Sequence, residues 1–84
     1  MRQGALSWPP GPNESMITIT VTVNGEARAI PPGLTLGGLL AHLTIDPRMV
    51  VVELNRTIVR RVGLDDVRVQ PGDEVEIVQF VGGG

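Results

Sequence analysis

Apolar residues alternate with polar ones at the start of the patterned part of the chain. Isoleucine or valine occupies every second position over 17–23, with threonine at the positions between. A period of two in β-branched residues is typical of a strand with one buried face. Asn24 and Gly25 follow directly, and this dipeptide is a strong signal for a tight turn between antiparallel strands. The pattern therefore predicts a β-hairpin.

The length of the hairpin loop decides which residues of the second strand face the core. A two-residue turn would place Arg28 opposite Val21 and bring a charge onto the core face. A three-residue loop that includes Glu26 would place Ala29 there instead. Because a slip of one residue reverses every side chain, we predict the three-residue loop, with the second strand over about 27–31.

A short helix is predicted after the second strand. Thr35 has the side chain of an N-cap, and Gly37 and Gly38 weaken the first turn. We expect the helix to end before Asp46, because the residue that precedes a proline avoids helical geometry. The spacing i, i+3, i+4, i+7 gives one apolar stripe, formed by Leu36, Leu39, Leu40 and Leu43.

The second half of the chain predicts three more strands. A continuous apolar run over 49–54 predicts an inner strand covered on both faces, and the pair 58–59 predicts a short strand. Residues 60–69 are irregular. A last strand is predicted over 74–80; it begins with alternation, and the pattern breaks at Val78. A hairpin, a helix and further strands predict an α+β fold, with one main helix packed across a mixed sheet. We expect the first and last strands to lie together in its middle.

Composition excludes several kinds of chemistry. The chain has neither cysteine nor lysine, which excludes thiolate metal sites, cysteine nucleophiles and Schiff bases. Net charge is −2 with one Trp and one Phe, so no nucleic-acid surface is predicted. His42 lacks a companion ligand, and we predict no metal site. Asp65 and Asp66 are interpreted as part of a solvated loop, so the chain is not expected to be an enzyme.

The two ends differ from the body of the chain. Residues 1–15 contain Trp-Pro-Pro-Gly-Pro and are interpreted as a disordered extension of a domain over 16–81. They have no apolar core of a signal peptide, and no run approaches the roughly 20 apolar residues that span a bilayer. We expect a cytoplasmic protein with no membrane partner. Taken alone, Gly82–Gly84 is either a frayed end or a flexible tail whose terminal carboxylate reacts.

Five short motifs in a fixed order resemble one family. They are Val23-Asn24-Gly25-Glu26, Pro32-Gly33-Leu34-Thr35-Leu36, Val52-Glu53-Leu54-Asn55, Pro71-Gly72-Asp73-Glu74-Val75-Glu76-Ile77-Val78 and Phe80-Val81-Gly82-Gly83-Gly84. Together they resemble the sulfur carriers of thiamine biosynthesis, the ThiS family, which are small ubiquitin-like β-grasp proteins. The resemblance covers 16–84.

The resemblance implies a function for the tail. An E1-like adenylyltransferase of the ThiF type would adenylate the carboxylate of Gly84 with ATP and magnesium, so the chain itself would bind no cofactor. Sulfur from a cysteine desulfurase would then replace AMP and leave a thiocarboxylate. Thiazole synthase of the ThiG type would take up this sulfur. Gly82 and Gly83 would let the tail thread a narrow channel. Exposed apolar side chains usually mark interfaces. We expect docking through Val78, Phe80 and Val81, with core packing as the alternative for Phe80.

Three other functions remain open at this point. The small subunit of molybdopterin synthase resembles this chain, but it usually has a longer first hairpin loop and prolines before the glycines. The tight Asn24-Gly25 turn and the absence of proline from 79–81 favour the thiamine branch. A ubiquitin-like protein modifier and a plain binding module are the others.

Overall fold

The computed structural model describes residues 17–80, which form a five-stranded sheet and one α-helix. The extension over 1–15, Val81 and the tail Gly82–Gly84 lie outside the described residues, so the predictions made for them stay predictions. In chain order the elements are β1 (Ile19–Val23), β2 (Glu26–Ile30), α1 (Leu36–His42), a 3₁₀ helix (Pro47–Met49), β3 (Val50–Leu54), β4 (Thr57–Val59), a second 3₁₀ helix (Arg61–Asp66) and β5 (Glu74–Gln79).

The sheet is mixed, and its first and last strands are neighbours. The spatial order is β2-β1-β5-β3-β4. β1 and β5 run parallel, whereas the other three pairs of neighbours are antiparallel. This confirms the predicted mixed sheet with one main helix and the inner position of β1 and β5. The arrangement also places the strand that leads to the tail in the middle of the sheet.

The predicted three-residue loop of the first hairpin is wrong. Val23 pairs with Glu26, and Val21 pairs with Arg28. The turn is therefore Asn24-Gly25 alone, with φ of 50° and 85°, as a type I′ turn requires. The expectation assumed that the core extends under the whole of β2. In the structure β2 is an edge strand that is exposed from Glu26 onward except at its last residue, so Arg28 reaches solvent.

Two further expectations, on the coverage of β3 and on the burial of Ile17, are wrong because α1 covers only one side of the sheet. β3 is an inner strand, but only Val52 is fully buried, and Val51 on the other face is partly exposed. Only one face of β3 is therefore covered, because α1 packs on that face alone. Ile17 was expected to point inward, yet its side chain is 80% exposed. It precedes β1 and lies beyond the area that the helix covers.

The core is a layer of leucine and valine between α1 and the sheet. The predicted stripe is confirmed, with Leu36, Leu39 and Leu40 fully buried and Leu43 packed at the edge. Burial of each such side chain stabilises the fold by roughly 1.5–3 kcal/mol. The strands contribute Val21, Val23, Ile30, Val52 and Val75, and the segment between β4 and β5 contributes Leu64 and Val69.

The two glycines at the start of α1 have different surroundings. The hydroxyl of Thr35 accepts from the backbone N–H of Gly38 at 3.0 Å, which confirms the N-cap. A Cβ on Gly37 would overlap Oδ1 of Asp65, in the second 3₁₀ helix. A Cβ on Gly38 would meet Leu34 and Thr35 at 3.4 and 3.5 Å, which is ordinary contact.

We expect Gly38→Ala to raise the free energy of unfolding by about 0.5–1 kcal/mol, the usual helix-propensity difference. Gly37→Ala gains the same propensity but must displace Asp65, so its gain should be smaller or reversed. Thermal unfolding of both variants measures the difference. In an Asp65→Ala background, Gly37→Ala should recover the full gain. If both glycine substitutions stabilise equally in the natural background, the overlap with Asp65 does not affect the free energy of unfolding.

α1 ends before Asp46, as predicted, but the cause differs from the predicted one. Ile45 N–H donates to Leu40 C=O at 2.8 Å, and Thr44 N–H donates to Ala41 C=O at 3.0 Å. These two bonds form a Schellman motif, with Thr44 in the left-handed region at φ 62°. The helix therefore stops at His42. The Asp46-Pro47 pair that was expected to end it begins the first 3₁₀ helix instead.

Candidate functional site

β5 carries the sheet to the base of the predicted tail. It pairs with β3 over five positions, from Val75 to Gln79. One residue further on, Phe80 N–H donates to Met49 C=O at 2.8 Å. The backbone hydrogen bonding of the sheet therefore extends to Phe80, and the last four residues of the chain depart from an anchored inner strand.

Four apolar side chains lie on the face of the sheet that α1 leaves uncovered. Val51 is directly opposite Val78, and Glu53 is directly opposite Ile58. Opposed residues share a face and alternate residues return to it, so this face also carries Phe80. We call Val51, Ile58, Val78 and Phe80 the open-face patch.

The open-face patch is exposed enough to contact another protein. Ile58 is 61% exposed, Val78 55% and Phe80 54%. Phe80 is therefore a surface residue, and the alternative of core packing is wrong for it. Val78 and Phe80, two of the three predicted docking residues, lie together here, whereas Val81 lies outside the described residues. An exposed apolar cluster of this kind is typical of an interaction surface.

Arginines border the patch. A shallow groove of about 340 Å³ is lined by Phe80, Val51 and Ile58 together with Arg48, Arg60 and Arg61. Nη2 of Arg48 contacts Oδ2 of Asp46 at 2.8 Å. The hydrogen bond from this guanidinium lowers the pKa of Asp46 to about 2, so Asp46 stays ionised and balances Arg48.

Arg60 and Arg61 form no ion pair within residues 17–80. The lining of the groove is therefore positively charged overall, although Asp46 partly balances Arg61 as well as Arg48. An apolar surface with such a border complements a partner surface that combines apolar and acidic side chains.

The other face of the sheet holds a polar groove beside the end of α1. It has a volume of about 760 Å³, and its lining includes Glu26, Arg28 and His42. In the part of the chain that the structure describes, no three His, Asp or Glu side chains are placed to hold a metal ion. Asp65 and Asp66 are exposed on the second 3₁₀ helix, as the sequence predicts.

Two asparagines hydrogen-bond beside β5, although the sequence predicts only a turn role for Asn24 and none for Asn55. Oδ1 of Asn24 accepts from Ile77 N–H at 2.7 Å, and its Nδ2 donates to Ile77 C=O at 3.2 Å. Oδ1 of Asn55 accepts from Glu74 N–H at 2.9 Å, and its Nδ2 donates to Oδ1 of Asp73 at 3.1 Å. A signal was present in the residue type, since an amide side chain carries both a donor and an acceptor.

Comparison with known proteins gives consistent relatives. The chain is 42% identical over 64 residues to a thiazole synthase of Paramagnetospirillum magneticum, a match that covers 76% of this chain and 20% of that protein. The chain thus spans a fifth of the length of this relative. It is 38% identical over 50 residues to the sulfur carrier protein ThiS of Bacillus subtilis, covering 60% of this chain and 76% of the relative.

One solved structure matches this fold, and the match covers the whole of that structure. The crystal structure of the thiamine biosynthesis protein ThiS from Geobacter metallireducens superposes with a TM-score of 0.70 at 35% identity, covering 79% of this chain and 100% of that one. Among residues 17–80, no helix has the length and apolar character needed to cross a membrane. The model of the ThiS family matches residues 21–84, which include both the sheet and the glycines at its end. This chain therefore belongs to the ThiS family.

Proposed function

We propose that this protein is the sulfur carrier for the thiazole moiety of thiamine and that the carboxylate of Gly84 is its reacting group. The observation that carries the proposal is the family match over 21–84, which includes the described sheet and the terminal glycines in one family pattern. The position of β5 supports it, because the strand that leads to the tail is an inner strand whose hydrogen bonding continues to Phe80, the last residue described.

The proposed chemistry proceeds in two steps. A carboxylate is a poor electrophile, so an activating enzyme first transfers AMP from ATP to the carboxylate of Gly84 and releases pyrophosphate. Sulfide then attacks the acyl carbon, the bond to the phosphate oxygen breaks, and AMP leaves. The product is a thiocarboxylate, which remains an anion at neutral pH and can donate its sulfur. In this scheme ATP and magnesium are bound by the activating enzyme. Gly82 and Gly83 have no side chains, so they let the tail enter a narrow channel.

The proposed partners are an E1-like adenylyltransferase and a thiazole synthase. The adenylyltransferase would dock on the open-face patch through Val78 and Phe80, and Val81 stays a predicted docking residue outside the described part of the chain. Arg60 and Arg61 form no salt bridge within residues 17–80, and they favour a partner with acidic residues at that border. A segment similar to this chain forms part of a protein named thiazole synthase, which favours thiazole formation over molybdopterin synthesis as the fate of the sulfur.

Intact mass spectrometry tests the proposal directly. The protein is incubated with an E1-like adenylyltransferase, ATP, magnesium and sulfide, and its mass should rise by the difference between one sulfur and one oxygen atom. Omitting ATP should prevent the rise. An unchanged mass, obtained with an enzyme that loads another carrier in parallel, would refute the carrier function. Adding thiazole synthase and its other substrates should then return the loaded protein to its original mass.

A further inference from the structure

β5 pairs with its two neighbouring strands over very different lengths. On the β3 side the ladder covers five residue pairs, up to Gln79. On the β1 side it covers two pairs only, Thr22 with Glu74 and Val23 with Val75. β1 ends at Val23 because the chain turns back into β2. Within residues 17–80, the tail-proximal half of β5 therefore has no strand beside it on this side.

Asn24 takes the place of the missing strand. Its backbone N–H donates to Val75 C=O at 2.9 Å. Its side-chain amide then bonds both backbone groups of Ile77, accepting from the N–H at 2.7 Å and donating to the C=O at 3.2 Å. An amide side chain offers the same donor and acceptor as a peptide group. Asn24 thus prolongs the hydrogen bonding of β1 by one step along β5.

We propose that Asn24 is a positioning residue for the sulfur-loading reaction. Ile77 lies one residue before Val78 and three before Phe80, so the bonds from Asn24 fix the part of β5 that carries the open-face patch and leads to the tail. A loss of these bonds lets this end of β5 shift relative to β1, together with Val78, Phe80 and the base of the tail. Asn24 acts through Ile77 and does not touch the reacting carboxylate. This inference rests on the proposed function.

Asn55 provides a matched control at the other end of β5. It also begins a tight turn with positive φ, at 51°, and its side chain also bonds the backbone of β5, at Glu74 N–H. Glu74 is the first residue of the strand, whereas Ile77 lies near its last. The two asparagines therefore share turn geometry and bonding chemistry but differ in their distance along β5 from the tail.

The test compares Asn24→Gly with Asn55→Gly. Glycine retains the left-handed turn at no steric cost, while each substitution removes two side-chain hydrogen bonds. Both variants should show a similar drop in melting temperature. Only Asn24→Gly should lower kcat/KM for ATP-dependent loading, by about tenfold, because misplacement of a reacting group by about 1 Å already costs up to a hundredfold in rate. Asn55→Gly should stay within about twofold, the scale of ordinary surface changes.

Equal losses of kcat/KM in the two variants would show that both effects are structural and would overturn the inference. If wild-type protein is not loaded at all, the proposed function fails first. Should Asn24→Gly not fold, Asn24→Asp replaces it, since a carboxylate still accepts from Ile77 N–H but repels Ile77 C=O. Loading should then fall for Asn24→Asp and stay within about twofold for Asn55→Gly, and the opposite order would overturn the inference.

Discussion

Deletion of Gly84 should abolish sulfur loading while leaving the free energy of unfolding unchanged. The described core consists of side chains between Val21 and Val75, and glycine has no side chain to add to it. The deletion instead withdraws the carboxylate from its partner's active site by one residue, about 3.3–3.6 Å along an extended chain. Since a misplacement of about 1 Å can cost a hundredfold in rate, a shift of this size should reduce loading below detection.

An added alanine after Gly84 should have the same effect for the opposite reason. It moves the carboxylate too far and introduces a Cβ where the proposed channel admits only glycine. Intact mass reports loading, and thermal unfolding reports stability. Removal of residues 1–15 is the control truncation and should leave both unchanged. A fall of several degrees in the melting temperature on loss of Gly84 would mean that the tail packs on the domain, which contradicts the proposed role of a free reactive end.

The parts of the fold that could be predicted from the sequence are those set by local physics. The leucine stripe of α1 and its Thr35 cap depend on residues within two helical turns of each other, so spacing alone identifies them. The inner position of β1 and β5 followed from their shared richness in β-branched residues. The exposure of Val78 was predicted because the alternation of β5 breaks there.

The parts that could not be predicted depend on which elements become neighbours. The register of the first hairpin was predicted wrongly because the sequence does not show that Arg28 lies on an edge strand, where its side chain is exposed. The contact of Gly37 with Asp65 and that of Asn24 with Ile77 join residues far apart in the chain. Neither contact can be recognised from the neighbouring residues in the sequence. Each is identified only once the positions of the second 3₁₀ helix and of β5 in the fold are known.

Substitution of Phe80 by aspartate should weaken docking of the activating enzyme strongly, with little effect on folding. Phe80 is 54% exposed in the free protein, so its replacement should change the free energy of unfolding by no more than about 0.5 kcal/mol, as for other surface sites. At an interface the same ring would be buried in an apolar pocket. Loss of such an aromatic anchor typically costs about 2 kcal/mol or more, which corresponds to roughly thirtyfold in affinity.

Ile17→Asp is the matched control. Ile17 is also an exposed apolar residue, at 80%, and it precedes β1 at the end of the sheet opposite to Phe80. A charge there should alter neither docking nor loading. Calorimetric titration of each variant into the activating enzyme measures the affinity, and thermal unfolding verifies that both variants are folded.

The kinetics should separate docking from chemistry. In our proposal the open-face patch binds the enzyme and Gly84 reacts, so Phe80→Asp should raise KM for the carrier while kcat recovers at saturating carrier concentration. Removal of an interaction made equally in the ground and transition states has this signature. Deletion of Gly84 should instead leave no kcat to recover. If Phe80→Asp lowers kcat without raising KM, or if Ile17→Asp weakens binding as much, the open-face patch is not the docking surface.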